Sequence, residues 1–457
     1  MSLLASWLAE AAGEHPHACA LRTAAGEWAY GELLALAGRG AACLRRSGIA
    51  AGGIVGCAAA APDLALAAVA CSAAGAALLP LDPLTAAAAW PRLQELAGGR
   101  LHCLRTPSGD WPPDRAPPAP AVDADGLALV IASSGSEGEP KAVMLTAGNL
   151  AAAVAASQRR LPLTAGDTWL GCLPLHHVGG IALLYRCLRA GATLLLHSRF
   201  SAPEVWRDID EQAVSHISLV PVMLARLLDV AGGRPPPASL RHALIGGGAL
   251  SRPLCERALA TGWPIRPSWG LSESAAQAAT LLQPGLGWRP GLVGELLPGL
   301  AVRIAADGRI CLRGAQVMAG YLNPQRRPGL GLADGWLITG DLGDIDAAGR
   351  LSIRGRADEL LVSGGVNVHP AEVEDCLAAC PGVRDVAVTA TSDPEWGDSL
   401  LALVVGQPDL QLLRDWSRQH LPTARRPRRF RCVDRLPRNA MGKLERAALR
   451  RLAAEDG

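Results

Sequence analysis

The stretch SSGSEGEPKAVML, Ser133 to Leu145, runs from small and hydroxylated residues through a lysine into an apolar segment. The strand-like run ALVIAS precedes it, so the order is strand, small-residue loop, lysine, strand. Small residues let backbone N–H groups approach an anion, hydroxyls donate and lysine adds charge, as a phosphate cradle requires. Taken alone, such a loop fits an ordinary surface turn equally well. It is not a P-loop, because Ala142 follows the lysine where Ser or Thr would stand. The lysine is informative through its rarity. Of 44 basic Lys and Arg residues, only Lys141 and Lys443 are lysine. A site shaped for a compact ammonium does not accept a planar guanidinium in its place.

The chain is 457 residues long and 49% apolar, which predicts two or three domains with a sizeable core. A net charge of +2 gives no sign of a nucleic-acid or anionic-membrane partner. Twelve cysteines are scattered without a CxxC pair and without a metal-ligand set, so a reduced, cytoplasmic protein is expected. MSLLASWLAEAAGEHPH lacks a basic start and carries Glu10 and Glu14, unlike a signal peptide. The apolar run 64–81 is close to membrane length but mostly alanine, and predicts a buried helix followed by a short strand rather than a span.

From about residue 20 to 130, helical and strand-like segments alternate, the texture of a layered α/β domain. Further strands are predicted at DTWLGCL, ATLLLH, HISLVP, HALIGGG and PIRPSWG, with helices between. The proline-rich stretch 106–125 reads as a loop. After Pro290, alternating runs with DG and AG turns predict β-hairpins. A compact βαβ-like tail follows Asp358. The boundary is placed to give an N-terminal unit of residues 1–356 and a C-terminal unit of residues 357–457.

Segments in this order resemble the motifs of the AMP-forming adenylating enzymes, the superfamily of acyl-CoA synthetases, adenylation domains and luciferases. The opening loop is similar to TSGTTGxPKG. LPLHHVGG (173–180), SWGLSESA (268–275), VMAGYL (317–322) and WLITGDLGDIDAAGRL (336–351) resemble the PLFHxxG, YGxTE, GYxN and GWxxTGDxxxxDxxGxL motifs. GRADELLVSGGVNVHPAEVE (355–374) resembles the hinge motif and PRNAMGKLER (437–446) the C-terminal PRxxxGKxxR motif. The resemblance implies a large N-terminal domain of α/β subdomains with a small β-barrel-like part, and a small mobile α+β C-terminal domain.

It also implies a reaction. A carboxylate attacks the α-phosphate of ATP to give an acyl-adenylate and pyrophosphate, and a thiol, usually that of CoA, then displaces AMP. Two anions meet in the first step, which calls for cations and Mg2+. By resemblance, Lys443 would bridge carboxylate and α-phosphate. Ser133, Ser134, Gly135, Ser136, Gly138 and Lys141 would hold the β- and γ-phosphates. Glu273 would coordinate Mg2+ and Ser272 would contact the α-phosphate. Asp341 would accept from the ribose hydroxyls with Arg356 assisting, and Trp269, with Gly270 and Gly247, would stand beside the nucleotide in place of the usual tyrosine. Asp358 would be the pivot of a domain rotation bringing Ser363, Gly364 and Gly365 to the pantetheine tunnel. Departures are Glu137 where threonine is usual, Val366 where glutamate is frequent, and His176 where an aromatic is common.

Within the superfamily, the region from LPLHHVGG to HALIGGGAL is similar to the o-succinylbenzoate–CoA ligases of menaquinone synthesis. There, an arginine in the helix after the histidine motif helps bind the acid, and Arg186 matches it. On its own, Arg186 fits the exposed face of an amphipathic helix equally well. His177, Ser218, Gly246 and Gly248 would complete the acid pocket. The expected partners are a carboxylic acid, ATP and CoA, with no nucleic acid and no membrane span; a homo-oligomer is left open. Other acids, a carrier-protein acceptor, or a non-catalytic nucleotide-binding relative are the alternatives.

Overall fold

The computed structural model describes residues 3–104, 111, 123–134, 140–285, 287–363, 366–393, 397–439 and 442–455. Three sheets organise them. In the first, strands Leu101–Leu104, Ile54–Ala58, Ala77–Leu81 and Leu127–Ser134 run parallel, and Pro140–Thr146 and Gly320–Tyr321 add antiparallel. The apolar run 64–81 folds as expected into helix Ala61–Ala74 and then strand Ala77–Leu81. Pro in its first turn and Gly75 at φ +76° delimit the helix. Its small side chains admit helix Tyr30–Arg46 at close range, since a Cβ on Gly40 would come within 2.5 Å of Ala70 Cβ. The proline-rich stretch lies almost wholly outside the described residues.

The second sheet carries the site. Its parallel centre is ordered Ile265–Trp269, His242–Ile245, His216–Leu219, Thr168–Gly171, Thr193–Leu196, Cys19–Thr23. These are the strands anticipated from PIRPSWG, HALIGGG, HISLVP, DTWLGCL and ATLLLH. Beyond Trp269 the sheet turns antiparallel through Ala279–Thr280, Leu292–Leu296, Arg350–Arg356, Trp336–Ile345, Arg309–Gly314 and Leu300–Ile304. Bulges at Leu292/Gly294, Arg309/Cys311 and Leu342/Gly343 increase its twist, the means by which a sheet curls toward a barrel. In open parallel sheets, ligands bind beyond the C-terminal tips of the strands. Gly171, Leu219, Ile245 and Trp269 end at that rim, and the segments that follow them carry the expected site residues.

The third sheet is ordered Val366–Val368, Leu361–Ser363, Gly397–Gly406, Val383–Asp393, with Arg429–Cys432 beside Gly397–Gly406. Helices Pro370–Ala378 and Leu410–His420 cover an apolar cluster on it. The βαβ-like expectation is corrected in part: helix Leu410–His420 does link the parallel strands Gly397–Gly406 and Arg429–Cys432. The long pair Val383–Asp393 and Gly397–Gly406 is antiparallel, and only Arg429–Cys432 joins in parallel. Hydrophobic runs specify strands without specifying their direction.

Several contacts join this sheet's layer to the rest, among them the following. Asp375 Oδ1 accepts from the backbone N–H of Arg252 at 2.9 Å, the first residue of helix Arg252–Ala260. Ser251, at the N-cap of that helix, makes no side-chain cap bond, so Asp375 stands in for it. Gly442, at φ +69°, lies against Val220 and Val222. Among the described residues, no helix is long and apolar enough to cross a membrane.

Candidate active site

Ser133 and Ser134 end strand Leu127–Ser134 and pair with Lys141 and Pro140 across the loop. Gly135, Ser136, Glu137 and Gly138 lie outside the described residues, as do Gly364 and Gly365. Strand Pro140–Thr146 passes beside Gly320–Tyr321, with Val143 opposite Tyr321. This register brings Lys141 Nζ to 5.5 Å from the Tyr321 ring centroid, a cation–π approach. The Tyr321 hydroxyl donates to Glu273 Oε1 at 2.8 Å. Burial, reinforced by the Glu273 carboxylate, pushes the Tyr321 phenol well above its ordinary range, so it stays a donor. Tyr321 was quoted in VMAGYL without a role; the signal was the motif itself.

Glu273 sits in a one-turn helix, Ser272–Ser274, that follows the tip of strand Ile265–Trp269. The segment is held under strain. Ala275 and Ala276 adopt φ of +53° and +89°, a region that side-chain-bearing residues seldom occupy. Buried Gln316 fixes it by donating to the carbonyls of Ser274 and Gln277 at 2.9 and 2.7 Å. Gly270 is required here, because a Cβ would fall 1.5 Å from the Ala276 carbonyl oxygen. Gly270 therefore serves the turn that presents Ser272 and Glu273.

Trp269 and Asp341 meet directly. The indole N–H donates to Asp341 Oδ2 at 2.8 Å, and both residues are buried. Asp341 is opposite Arg356 in the hairpin register, and Arg356 Nη1 lies 3.5 Å from Asp341 Oδ1. Arg356 also forks onto Asp358, with Nε and Nη2 donating at 3.0 and 2.9 Å. That fork is the main cause raising the guanidinium's pKa. Burial pushes the Asp358 carboxyl up, but the Arg356 fork outweighs it and holds the group below its usual range. Arg356's charge reaches Tyr321 as well, which joins this cluster to the Glu273 cluster.

The opposite wall is built from LPLHHVGG and the helix behind it. His177 is the N-cap of helix Val178–Ala190, its ring 4.5 Å from that of His176. Burial lowers its pKa to about 4, helped by His176 and by the charge of Lys443, so it is neutral near pH 7. The Lys443 charge thus contributes, after burial and His176, to keeping His177 neutral. Ser218 is buried and accepts from the Trp169 indole N–H at 3.2 Å. Gly246 and Gly248 follow strand His242–Ile245, and Gly247 between them has φ +74°. A Cβ on Gly246 would lie 3.3 Å from the Ser268 carbonyl oxygen.

Arg186 decides an alternative left open by sequence. It is 6% exposed, on the inward face of helix Val178–Ala190, with its guanidinium carbon 5.3 Å from the Trp169 ring centroid. Burial brings its pKa down to about 10, and no carboxylate, carbonyl or hydroxyl among the described residues bonds to it. A buried cation with no anion beside it is costly unless something else supplies the charge.

Among the described residues there is no group of three or more His, Cys, Asp or Glu able to cage a metal. Glu273 keeps one carboxylate oxygen free of Tyr321, a hard oxygen donor. This fits Mg2+ bound through a single carboxylate and the nucleotide's phosphates, not a protein cage.

Lys141 beside the loop, the Glu273 carboxylate held by Tyr321, and Lys443 in the layer of a separate sheet are the charges that ATP-dependent activation of a carboxylate would call for. Residues 93–322 match the AMP-binding enzyme family, and residues 372–443 match the AMP-binding enzyme C-terminal domain. The chain belongs to the AMP-binding enzyme family and is an AMP-forming acid–thiol ligase. It is 35% identical to a 2-succinylbenzoate–CoA ligase of Bacillus subtilis (strain 168) over 71% of this chain and 69% of the relative. The o-succinylbenzoate CoA synthetase (MenE) of Bacillus subtilis, solved with the acyl-adenylate intermediate OSB-AMP, superposes with a TM-score of 0.86, 29% identity and 98% coverage of both chains. The same synthetase has also been solved with ATP and magnesium ion. ATP-bound MatB from Rhodopseudomonas palustris superposes with a TM-score of 0.84 at 25% identity, with 100% of both chains covered.

Proposed function

We propose that the chain joins o-succinylbenzoate to CoA in two steps on one site. In the first, a carboxylate oxygen of the acid attacks the α-phosphorus of ATP. The bond to the bridging oxygen of the β-phosphate breaks and pyrophosphate leaves. In the second, the CoA thiolate attacks the acyl carbon and AMP leaves with the acyl oxygen.

The observation that carries the acid's identity is the lone buried guanidinium of Arg186. An acid with a second carboxylate supplies the anion that the protein withholds, and a charge-assisted fork rewards it. A monocarboxylate leaves Arg186 uncompensated. The 2-succinylbenzoate–CoA ligase relatives support the same choice. Neutral His177 and Ser218 would line the rest of the pocket with Gly246 and Gly248.

The other roles are those that the family resemblance implies. Lys141, Ser133 and Ser134 would hold the outer phosphates, with Ser272 at the α-phosphate. Asp341 and Arg356 would take the ribose, with Trp269 and Gly247 flanking the nucleotide. Glu273, oriented by Tyr321, would hold Mg2+, which when bound screens the phosphate charges. Lys443 would bridge the two reacting anions. Residues 357–457 would form the mobile unit, turning at Asp358 so that the strand bearing Ser363 approaches the thiol for the second step. CoA as acceptor and a cytoplasmic location belong to this reading.

AMP and thioester formation across o-succinylbenzoate, benzoate, a coumarate and a medium-chain fatty acid tests it. The expected result is preference for o-succinylbenzoate by orders of magnitude. Equal use of benzoate would remove the assignment while leaving the family chemistry intact.

A further inference from the structure

We propose that Asp385, which lies outside every motif, is a positioning residue for Lys443, acting through Arg438. The inference rests on reading Lys443 as the cation of the first half-reaction.

Asp385 follows a bulge at Val383/Asp385 in strand Val383–Asp393, a device that re-aims a side chain. Its carboxylate is fixed from its own backbone, where the Val386 N–H donates to Oδ1 at 3.0 Å. Arg438 then grips both oxygens. Nη2 donates to Oδ1 and Oδ2 at 2.8 and 2.9 Å, and Nε to Oδ2 at 3.2 Å. The remaining arm, Nη1, donates at 2.8 Å to the carbonyl of Gly442, the residue before Lys443. The backbones of Arg438 and Leu444 pair as an antiparallel bridge, so backbone pairing flanks Lys443 on one side and the guanidinium bond to Gly442 on the other.

Inside this clamp the turn closes on itself. The Lys443 N–H donates to Asn439 Oδ1 at 3.1 Å, and the Asn439 N–H donates to the Lys443 carbonyl at 2.9 Å. Gly442 rests on Val220 and Val222, where a Cβ would come within 2.6 Å of Val222 Cγ1. The turn that delivers Lys443 to the His177 wall is thus hung from one guanidinium, and Asp385 sets that guanidinium's plane.

The pair is partly exposed, 35% at Asp385 and 25% at Arg438, so it adds little to global stability. Catalysis is far more sensitive to a displaced group than stability is to a surface ion pair. Loss of Asp385 therefore separates two readouts that a structural role would move together.

The experiment uses the full chain with Asp385→Asn, Asp385→Ala, Arg438→Lys and Lys443→Ala. ATP–pyrophosphate exchange reports the first half-reaction, and thioester formation from preformed acyl-adenylate and CoA reports the second. For Asp385→Ala and Arg438→Lys, exchange is expected to fall about tenfold or more while the second step stays within about twofold. The near-isosteric Asp385→Asn keeps the fold and loses the bidentate grip, so it shows the same split. The double variant Asp385→Ala with Arg438→Lys is expected to be no worse than either single one, because the two act as a unit. Equal loss of both half-reactions, or unchanged exchange, overturns the inference. If Lys443→Ala abolishes exchange and the Asp385 variants leave it unchanged, only the positioning role fails. If Lys443→Ala itself spares exchange, the reading of Lys443 fails beneath it.

Discussion

The indole N–H of Trp269 donates to Oδ2 of Asp341 at 2.8 Å, leaving Oδ1 to face Arg356 at 3.5 Å. The two carboxylate oxygens therefore have different environments. One is neutralised by a fixed neutral donor and the other is turned to a cation and to the ribose position. The resemblance places Trp269 beside the nucleotide, where the family usually has tyrosine. The indole is packed into the main core and contributes its polar edge.

Replacing Trp269 with Phe keeps a ring and deletes the donor. One hydrogen bond to a carboxylate contributes about 1.5–3 kcal/mol, so KM for ATP is expected to rise about tenfold or more with kcat nearly unchanged. Exchange kinetics at varied ATP would show it. An equal fall in kcat with unchanged KM would place the indole's role elsewhere.

Arg186→Met removes a buried cation that has no partner among the described residues and fills its volume. The unliganded protein is expected to gain about 1 kcal/mol or more, seen as a higher Tm. The KM for o-succinylbenzoate is expected to rise about 10- to 100-fold, while benzoate changes little. A lower Tm together with equal KM changes for both acids would make Arg186 a packing residue.

His177, His216 and His242 all have pKa values lowered to about 4, in each case chiefly by burial. The unfolded histidine value is about 6.5. The unfolded chain thus binds more protons between those values, and stability must fall as pH drops from about 6.5 through about 4. Tm measured from pH 7.5 to 4.5 should show that decline, shallower in His242→Gln. An identical slope in the variant would mean that carboxylates dominate the window.

Gly442→Ala puts a Cβ into Val222 at a backbone φ of +69°. Adenylation is expected to drop by at least about tenfold, with thioester formation from preformed acyl-adenylate retained. Parallel loss of both would show that the turn is needed in both steps.

The strands at the rim were legible because each is a short apolar run closed by Gly or Pro signals, as in HALIGGG and PIRPSWG. Glu273, Asp341 and Lys443 were legible only through the family resemblance of the motifs that carry them. What sequence could not show was which partners fold back onto them. Tyr321 reaches Glu273 from 48 residues away and Gln316 reaches Ser274 from 42, contacts created by sheet register. Arg186 was ambiguous for a different reason. In VGGIALLYRCLRA the apolar residues nearly encircle the helix, so periodicity cannot tell an outward arginine from an inward one. Strand direction in the C-terminal unit was illegible because alternation is the same whichever way a strand runs.

The cap that Asp375 places on helix Arg252–Ala260 has a consequence for how the enzyme divides its time. A cap bond is worth about 1 kcal/mol, and here donor and acceptor belong to different units. Turning the C-terminal unit away leaves the Arg252 N–H to solvent. If residues 357–457 turn as proposed, this bond would tilt the population about fivefold toward the arrangement seen here. Burial raises the Asp375 pKa, so such a tilt would weaken on acidification sooner than an exposed aspartate would allow. Binding of the adenylate would then have to overcome that preference before the thiol is served.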